Sequence, residues 1–231
     1  MNLISTGLIS LAVIAVCALS YWFLDIPVLY LAVSIQGPVK DFFAAITFLG
    51  LSTGYLIASG AAFIWYRYVG KKPIFSNMAL FVFCAIAVSG ILNAVLKYVF
   101  GRYRPGMLLD HGLYGFRFFS TGYDYTSFPS GHANTVTALL LALCLISKRF
   151  GPASILIVPP LAMSRVVIGS HYLSDVIFGS YLAVVTTLFL REAFEKKGLS
   201  ISWSPDRPPA GPEGAGPEGA GSEGAGPEGT P

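Results

Sequence analysis

Of 231 residues, 54% are hydrophobic and only 12% are charged, and the mean hydropathy is +0.66. This excludes an ordinary water-soluble domain and points to an integral membrane protein. A formal net charge of +3 is too small to suggest nucleic acid as a partner, so the placement of the charges matters more than their sum.

The first apolar run, residues 3–24, is long enough to cross a bilayer. No Lys or Arg precedes it, no small-residue cleavage site stands near 19–22, and Val16 before Cys17 does not suit lipoprotein processing. It therefore reads as a retained helix. Residues 25–41, with Pro27, Gly37, Pro38 and Lys40, suit a short interfacial segment. Residues 42–66 form the second span, followed by a basic loop with Arg67, Lys71 and Lys72, and residues 78–100 form the third. The connection 101–129 is rich in Gly, Tyr, Phe and Arg, and loops of that length usually carry function. Residues 131–146 form a short fourth span; 154–170 and 171–190 form the fifth and sixth, with Pro159 and Pro160 expected to bend the fifth. Cys17, Cys84 and Cys144 lie inside these apolar runs without metal-ligand spacing and read as core thiols.

Alternating spans place Arg67, Lys71, Lys72, Lys148, Arg149, Arg191, Lys196, Lys197 and Arg207 on one side of the membrane. Lys40, Lys97, Arg102, Arg104, Arg117 and Arg165 fall on the other. The excess marks the first side as cytoplasmic, so both termini are expected there, in an inner membrane. From 205 to 231 the chain is Pro, Gly, Glu, Ala and Ser in a loose five-residue repeat, which cannot bury an apolar face. The expected organisation is an all-α integral membrane protein: a six-helix domain over 1–200 and a disordered acidic tail over 201–231.

Three polar islands lie at the outward ends of different spans. The first runs from Lys97 through Arg102 to Arg104-Pro105, the second is Pro129-Ser130-Gly131-His132, and the third runs from Ser164-Arg165 to His171 and Asp175. Each has a bland explanation: Lys and Arg snorkelling to the headgroups, Ser130 as a helix cap, His171 and Asp175 as a satisfied buried pair. Together they say more, because ionisable groups at membrane depth are costly. Lys97, Arg104 and Arg165 with a Ser-Gly pair at a helix N-terminus make a receptor for a compact anion, and phosphate fits best. If the sixth helix begins at His171, Asp175 lies one turn on and orients the imidazole. Two histidines then serve a phosphoryl transfer without an evident metal.

Lys97 with six residues to Arg104-Pro105, Pro129-Ser-Gly-His132, and Ser164-Arg165 with five residues to His171 and three more to Asp175 resemble the tripartite signature of the type 2 phosphatidic acid phosphatase (PAP2) superfamily. That family includes bacterial membrane lipid phosphatases, glucose-6-phosphatase and vanadium haloperoxidases. The resemblance implies that His171 is the nucleophile that becomes a phosphohistidine and that Asp175 holds its tautomer. It implies that His132 protonates the leaving oxygen and then activates water, and that Lys97, Arg104, Arg165, Ser130 and Gly131 hold the phosphoryl group. Arg102 and Arg117 are expected as headgroup contacts or solvated loop charges.

The expected activity is metal-independent hydrolysis of a lipid phosphate at the periplasmic face, with no cofactor. Candidate substrates are phosphatidylglycerol phosphate, phosphatidic acid, undecaprenyl pyrophosphate and lipid A 1-phosphate. A phosphotransferase using the same phosphohistidine is the alternative. A haloperoxidase holding vanadate and a catalytically silent lipid binder or scrambling protein fit less well, given six apolar spans and no missing motif position.

Overall fold

The computed structural model describes residues 3–202; the repetitive stretch read as a disordered tail lies outside them. The described chain is built from helices. Five helical runs are long and apolar enough to cross a membrane: Ser5–Ser34, Pro38–Val69, Pro73–Phe100, Lys148–Val167 and Leu173–Lys196. The shorter Gly131–Ile146 makes the sixth of a multi-pass membrane protein.

The first run joins α1 (Leu3–Leu19) to α2 (Asp25–Ser34) through a π-helical turn at Ser20–Leu24. The segment expected at the interface, 25–41, is thus helical on both sides of a break at 35–37. The second run comprises α3 (Pro38–Ile46), a 3-10 turn (Thr47–Gly50), α4 (Ser52–Ile64) and a π-helical turn (Trp65–Val69). Helix α5 (Pro73–Phe100) starts with proline at its first position, where the missing N–H costs nothing. After α6 (Pro105–His111) come α7 (Gly131–Ile146), α8 (Gly151–Val167) and α9 (Leu173–Lys196). Pro159 and Pro160 lie inside α8, which continues through both.

Helices α5, α7 and α9 form the centre; α4 packs on α5, α1 on α9 and α3 on α8. Small residues allow this. Ala138 and Ala142 of α7 and Ala183 of α9 are buried against Phe81, Val82, Ala85 and Ile86 of α5, and Phe194 meets Phe81 edge-on at 5.4 Å. A second cluster, Ala32, Ala133, Ala162, Val166 and Val176, joins α2, α7, α8 and α9 nearer the polar islands. Leu11, Ile57 and Ile155 are among many large apolar side chains left outward, as suits a surface solvated by lipid.

The long connection folds back over the end of α5. Arg102 and Phe116 form an antiparallel bridge, Arg117 N–H donates to the Gly101 carbonyl at 2.8 Å, and Ser127 N–H to that of Arg102 at 3.0 Å. Phe100, Phe116, Phe118 and Phe128 cluster beneath it.

Candidate active site

The C-terminal ends of α5 and α8 and the N-terminal ends of α7 and α9 meet under this connection. Lys97, one turn from the end of α5, donates from Nζ to the Thr126 carbonyl at 2.6 Å. Arg104 Nη2 reaches the same carbonyl at 3.4 Å, its Nε the Tyr123 carbonyl at 2.7 Å and its Nη1 that of Ser170 at 3.0 Å. Its guanidinium lies 3.9 Å from the centre of the Tyr123 ring. Arg165, near the end of α8, donates from Nη1 to Thr47 Oγ1 at 2.9 Å. Arg104 and Arg165 are each 9% exposed, and the three cations lie within electrostatic reach of one another. Among the described residues, no carboxylate makes an ion pair with any of them. Burial pushes the Arg104 guanidinium below its ordinary value, with Tyr123 and Asp175 partly offsetting it.

His171 stands outside α9, contrary to the helical placement. Helix α8 ends at Val167, and the Ser170 and His171 amides both turn back to the Arg165 carbonyl, at 2.9 and 3.1 Å. Helix α9 then opens with Tyr172 as cap, and Asp175 returns its carboxylate to the Tyr172 N–H at 3.0 Å. The imidazole still finds the acid: His171 Nδ1 is 3.5 Å from Asp175 Oδ2, beyond a well-formed hydrogen bond, and Nδ1 has no other partner. Burial pushes the His171 pKa down to about 3; Asp175 pulls the other way, while Lys97 and Arg104 add to the depression. At neutral pH the ring is therefore a free base, and Nε2 lies on the edge away from Asp175.

Asp175 is 0% exposed. Its Oδ2 accepts from Ser127 Oγ at 2.6 Å, and its Oδ1 from Arg102 Nη1 at 2.5 Å. Arg102 is therefore neither a headgroup contact nor a solvated loop charge, as its sequence context suggested. It too is 0% exposed, because two acids draw it inward. Nη2 pairs with Asp25 Oδ2 at 2.7 Å and Nη1 also donates to Ser174 Oγ at 2.7 Å. The guanidinium lies 4.4 Å from the Tyr172 ring centre and 5.0 Å from that of Tyr21. Burial works against its charge, but Asp175 and Asp25 more than compensate and raise its pKa.

Asp25 is the residue sequence reasoning passed over. It is the only charged residue between 3 and 34, and the cost of charge in an apolar run was the available signal. Thr47 and Gly50 were missed as well. The 3-10 turn that contains them interrupts the second run beside the site, and a Cβ on Gly50 would stand 2.6 Å from His132 Cδ2.

Ser130 is buried at the cap position of α7. Its amide donates to the Asp175 carbonyl at 2.9 Å and so is not free for an anion, while its Oγ has no protein partner. Gly131 follows, close enough that a Cβ there would touch Lys97 Cε at 4.0 Å and Asn93 Oδ1 at 3.7 Å. Asn93, buried one turn before Lys97, leaves its Nδ2 unpaired. Arg117 is exposed, with its guanidinium 4.9 Å from the Tyr125 ring centre. Among the described residues, no three His, Cys, Asp or Glu side chains gather as metal ligands.

Comparison with solved structures finds the same fold in a transmembrane PAP2 type phosphatidylglycerolphosphate phosphatase from Bacillus subtilis. The TM-score is 0.61 at 23% identity, covering 80% of this chain and 94% of that one. LpxE of Aquifex aeolicus matches with a TM-score of 0.56 at 19% identity, covering 73% and 95%. In sequence, the lipid A 1-phosphatase of Rhizobium johnstonii is 37% identical over 135 residues, 57% of this chain and 54% of that protein. The decaprenylphosphoryl-5-phosphoribose phosphatase of Mycolicibacterium smegmatis is 50% identical over 54 residues, 23% and 28% of the two chains. This chain thus spans about half the length, or less, of the curated relatives it matches. The PAP2 superfamily model matches residues 78–199, more than half the chain and every residue of the three islands; the protein belongs to the PAP2 superfamily.

Proposed function

We propose that this protein is a membrane lipid phosphatase that releases phosphate from a lipid headgroup through a phosphohistidine on His171, without a metal. One observation carries this reading. Lys97, Arg104 and Arg165 are largely buried beside a neutral histidine, and among the described residues none of the three is ion-paired to a carboxylate. Buried charges left uncompensated are costly, so the site is complete only when an anion occupies it.

The chemistry follows from that arrangement. His171 Nε2 attacks phosphorus, and the bond to the lipid oxygen breaks with its electron pair. That oxygen takes a proton from His132, in the role assigned by the family resemblance. His132 then removes a proton from water, which attacks the phosphohistidine and frees phosphate. In both steps charge spreads over the equatorial phosphoryl oxygens, where fixed cations in a partly dry site stabilise it most. The unpaired Ser130 Oγ and the first amides of α7, including that of Gly131, supply further donors.

A site at one end of the helices leaves the lipid tails in hydrocarbon while the headgroup meets the cations. The distribution of Lys and Arg supports placing that end on the periplasmic side of an inner membrane, with both termini in the cytoplasm. Among the candidate lipids, the 1-phosphate of lipid A is favoured by the match to a lipid A 1-phosphatase.

The test is phosphate release from lipid A 1-phosphate, phosphatidylglycerol phosphate, phosphatidic acid, undecaprenyl pyrophosphate and a polyprenyl-linked sugar phosphate, by detergent-solubilised protein with and without a chelator. Chelator-resistant release that vanishes in His171→Ala supports the reading. Transfer of phosphate to an added alcohol without free phosphate favours a phosphotransferase, and activity equal to wild type in His171→Ala rejects the mechanism.

A further inference from the structure

The turn that carries His171 is tied to the first span by a buried relay of charges. Asp25 accepts from Ser20 Oγ at 2.9 Å, from the Ser174 amide at 2.9 Å and from Ser174 Oγ at 2.5 Å, while its Oδ2 holds Arg102 Nη2. Arg102 Nη1 passes on to Asp175 Oδ1, and Asp175 Oδ2 faces His171 Nδ1. Asp25, Arg102, Ser174 and Asp175 are all buried.

Two features distinguish this relay from a passive ion pair. The first is direction. Arg102 commits one Nη to each carboxylate, so the two acids and the guanidinium fix one another as a rigid fork. Asp175 is then constrained through both oxygens, by Arg102 on one and by Ser127 and the Tyr172 amide on the other. The second is charge. Two carboxylates face one guanidinium, so this cluster carries an excess of negative charge on the Nδ1 side of the imidazole, opposing the Lys97 and Arg104 charges that also reach the ring.

On the reading that His171 is the nucleophile, we infer that Asp25 and Arg102 are positioning residues for it, and that their cluster with Asp175 stabilises the cationic ring formed on attack. When the Nε2 lone pair forms the bond to phosphorus, the leaving oxygen departs with the electrons of the old bond. The ring keeps its Nδ1 proton and becomes positive. A preformed negative excess at Nδ1 favours that state over the neutral resting ring, an interaction gained only as the reaction proceeds. Binding of the phosphate belongs to Lys97, Arg104 and Arg165, none of which hydrogen-bonds to a member of the relay.

The test measures kcat, KM and inhibition by inorganic phosphate for Asp25→Asn, Ser174→Ala and His171→Ala, using whichever lipid of the panel wild type cleaves fastest. Asp25→Asn is expected to lower kcat about 10- to 100-fold, the scale of small misplacements at a reacting group. KM and the phosphate inhibition constant should stay within about two-fold. Ser174→Ala removes one hydroxyl but no charge, and should lower kcat less, again at constant KM. Folded Asp25→Asn with wild-type kcat, or with KM and phosphate inhibition worsening in step with kcat, overturns the inference. If Asp25→Asn does not fold, Ser174→Ala decides on the same terms: lower kcat at constant KM supports the relay, and wild-type kcat rejects it. Activity in His171→Ala equal to wild type, or no cleavage of any lipid by wild type, rejects the nucleophile assignment itself and the relay with it.

Discussion

Gly50 and His132 occupy adjoining space with no room for a methyl group between them: a Cβ on Gly50 would stand 2.6 Å from His132 Cδ2 and 2.8 Å from its Cβ. Real Cβ atoms do not come so close, so Gly50→Ala must push the imidazole away from its place at the start of α7. The expected result is a fall in phosphate release of about 10- to 100-fold with the protein still folded. Steady-state kinetics beside a thermal melt checks it, and activity within two-fold of wild type would remove His132 from the proposed chemistry.

Gly179 plays the matching part on α9, where a Cβ would lie 2.5 Å from the Ser130 carbonyl oxygen. The atoms it would meet are backbone, so the clash cannot be relieved by turning a side chain. Gly179→Ala should therefore separate α9 from the start of α7 and destabilise the protein by about 1–3 kcal/mol. A lowered melting temperature in detergent, together with lost activity, is the expected readout.

The cations should differ from one another in a measurable way. Arg104 uses its Nε and both Nη groups on carbonyls and stacks on Tyr123, so Arg104→Lys keeps the charge but loses the fork. It should fall nearly as far as Arg104→Ala, about 10²- to 10³-fold in kcat. Arg117→Ala, by contrast, should remain within two-fold, since Arg117 is exposed over Tyr125.

The depressed pKa of His171, about 3, has a consequence for stability. An unfolded chain would protonate this ring near its ordinary value of about 6.5, while the folded one does not. Between those values the unfolded state binds more protons, so stability falls as pH drops from 6.5 toward 3 and is unaffected above 6.5. The contribution is on the order of 2 kcal/mol between pH 6.5 and 5. Melting curves at pH 5 and 7.5 should show a smaller difference for His171→Asn than for wild type; equal differences would place the ring in a wetter setting.

The spans and the three islands are legible in the sequence for separate reasons. Apolar runs announce themselves by length, and Lys97, Arg104, Arg165, His132 and His171 are conspicuous because charge and imidazole are rare in such runs. Arg102 misleads because its neighbours in sequence are loop residues; its acids come from Asp25 and Asp175, far along the chain. Thr47 and Gly50 are ordinary residues whose meaning lies wholly in what packs against them, Arg165 and His132. Helix boundaries shift for local reasons. Gly169, with φ of +70°, and the amides returning to Arg165 end α8 early and leave His171 in a turn.

The pairing of Asp25 with Arg102 also limits the order in which the spans can pack. The ribosome delivers the first span with an acid inside it, and the matching cation emerges only after the third span has been made. Until then the carboxylate lacks the guanidinium it pairs with in the folded protein, and a lone charge near hydrocarbon is held at a cost. Locking of the first span against the rest must therefore await the connection after α5. Chains stalled before that point present the insertion and quality-control machinery with an unmatched acid.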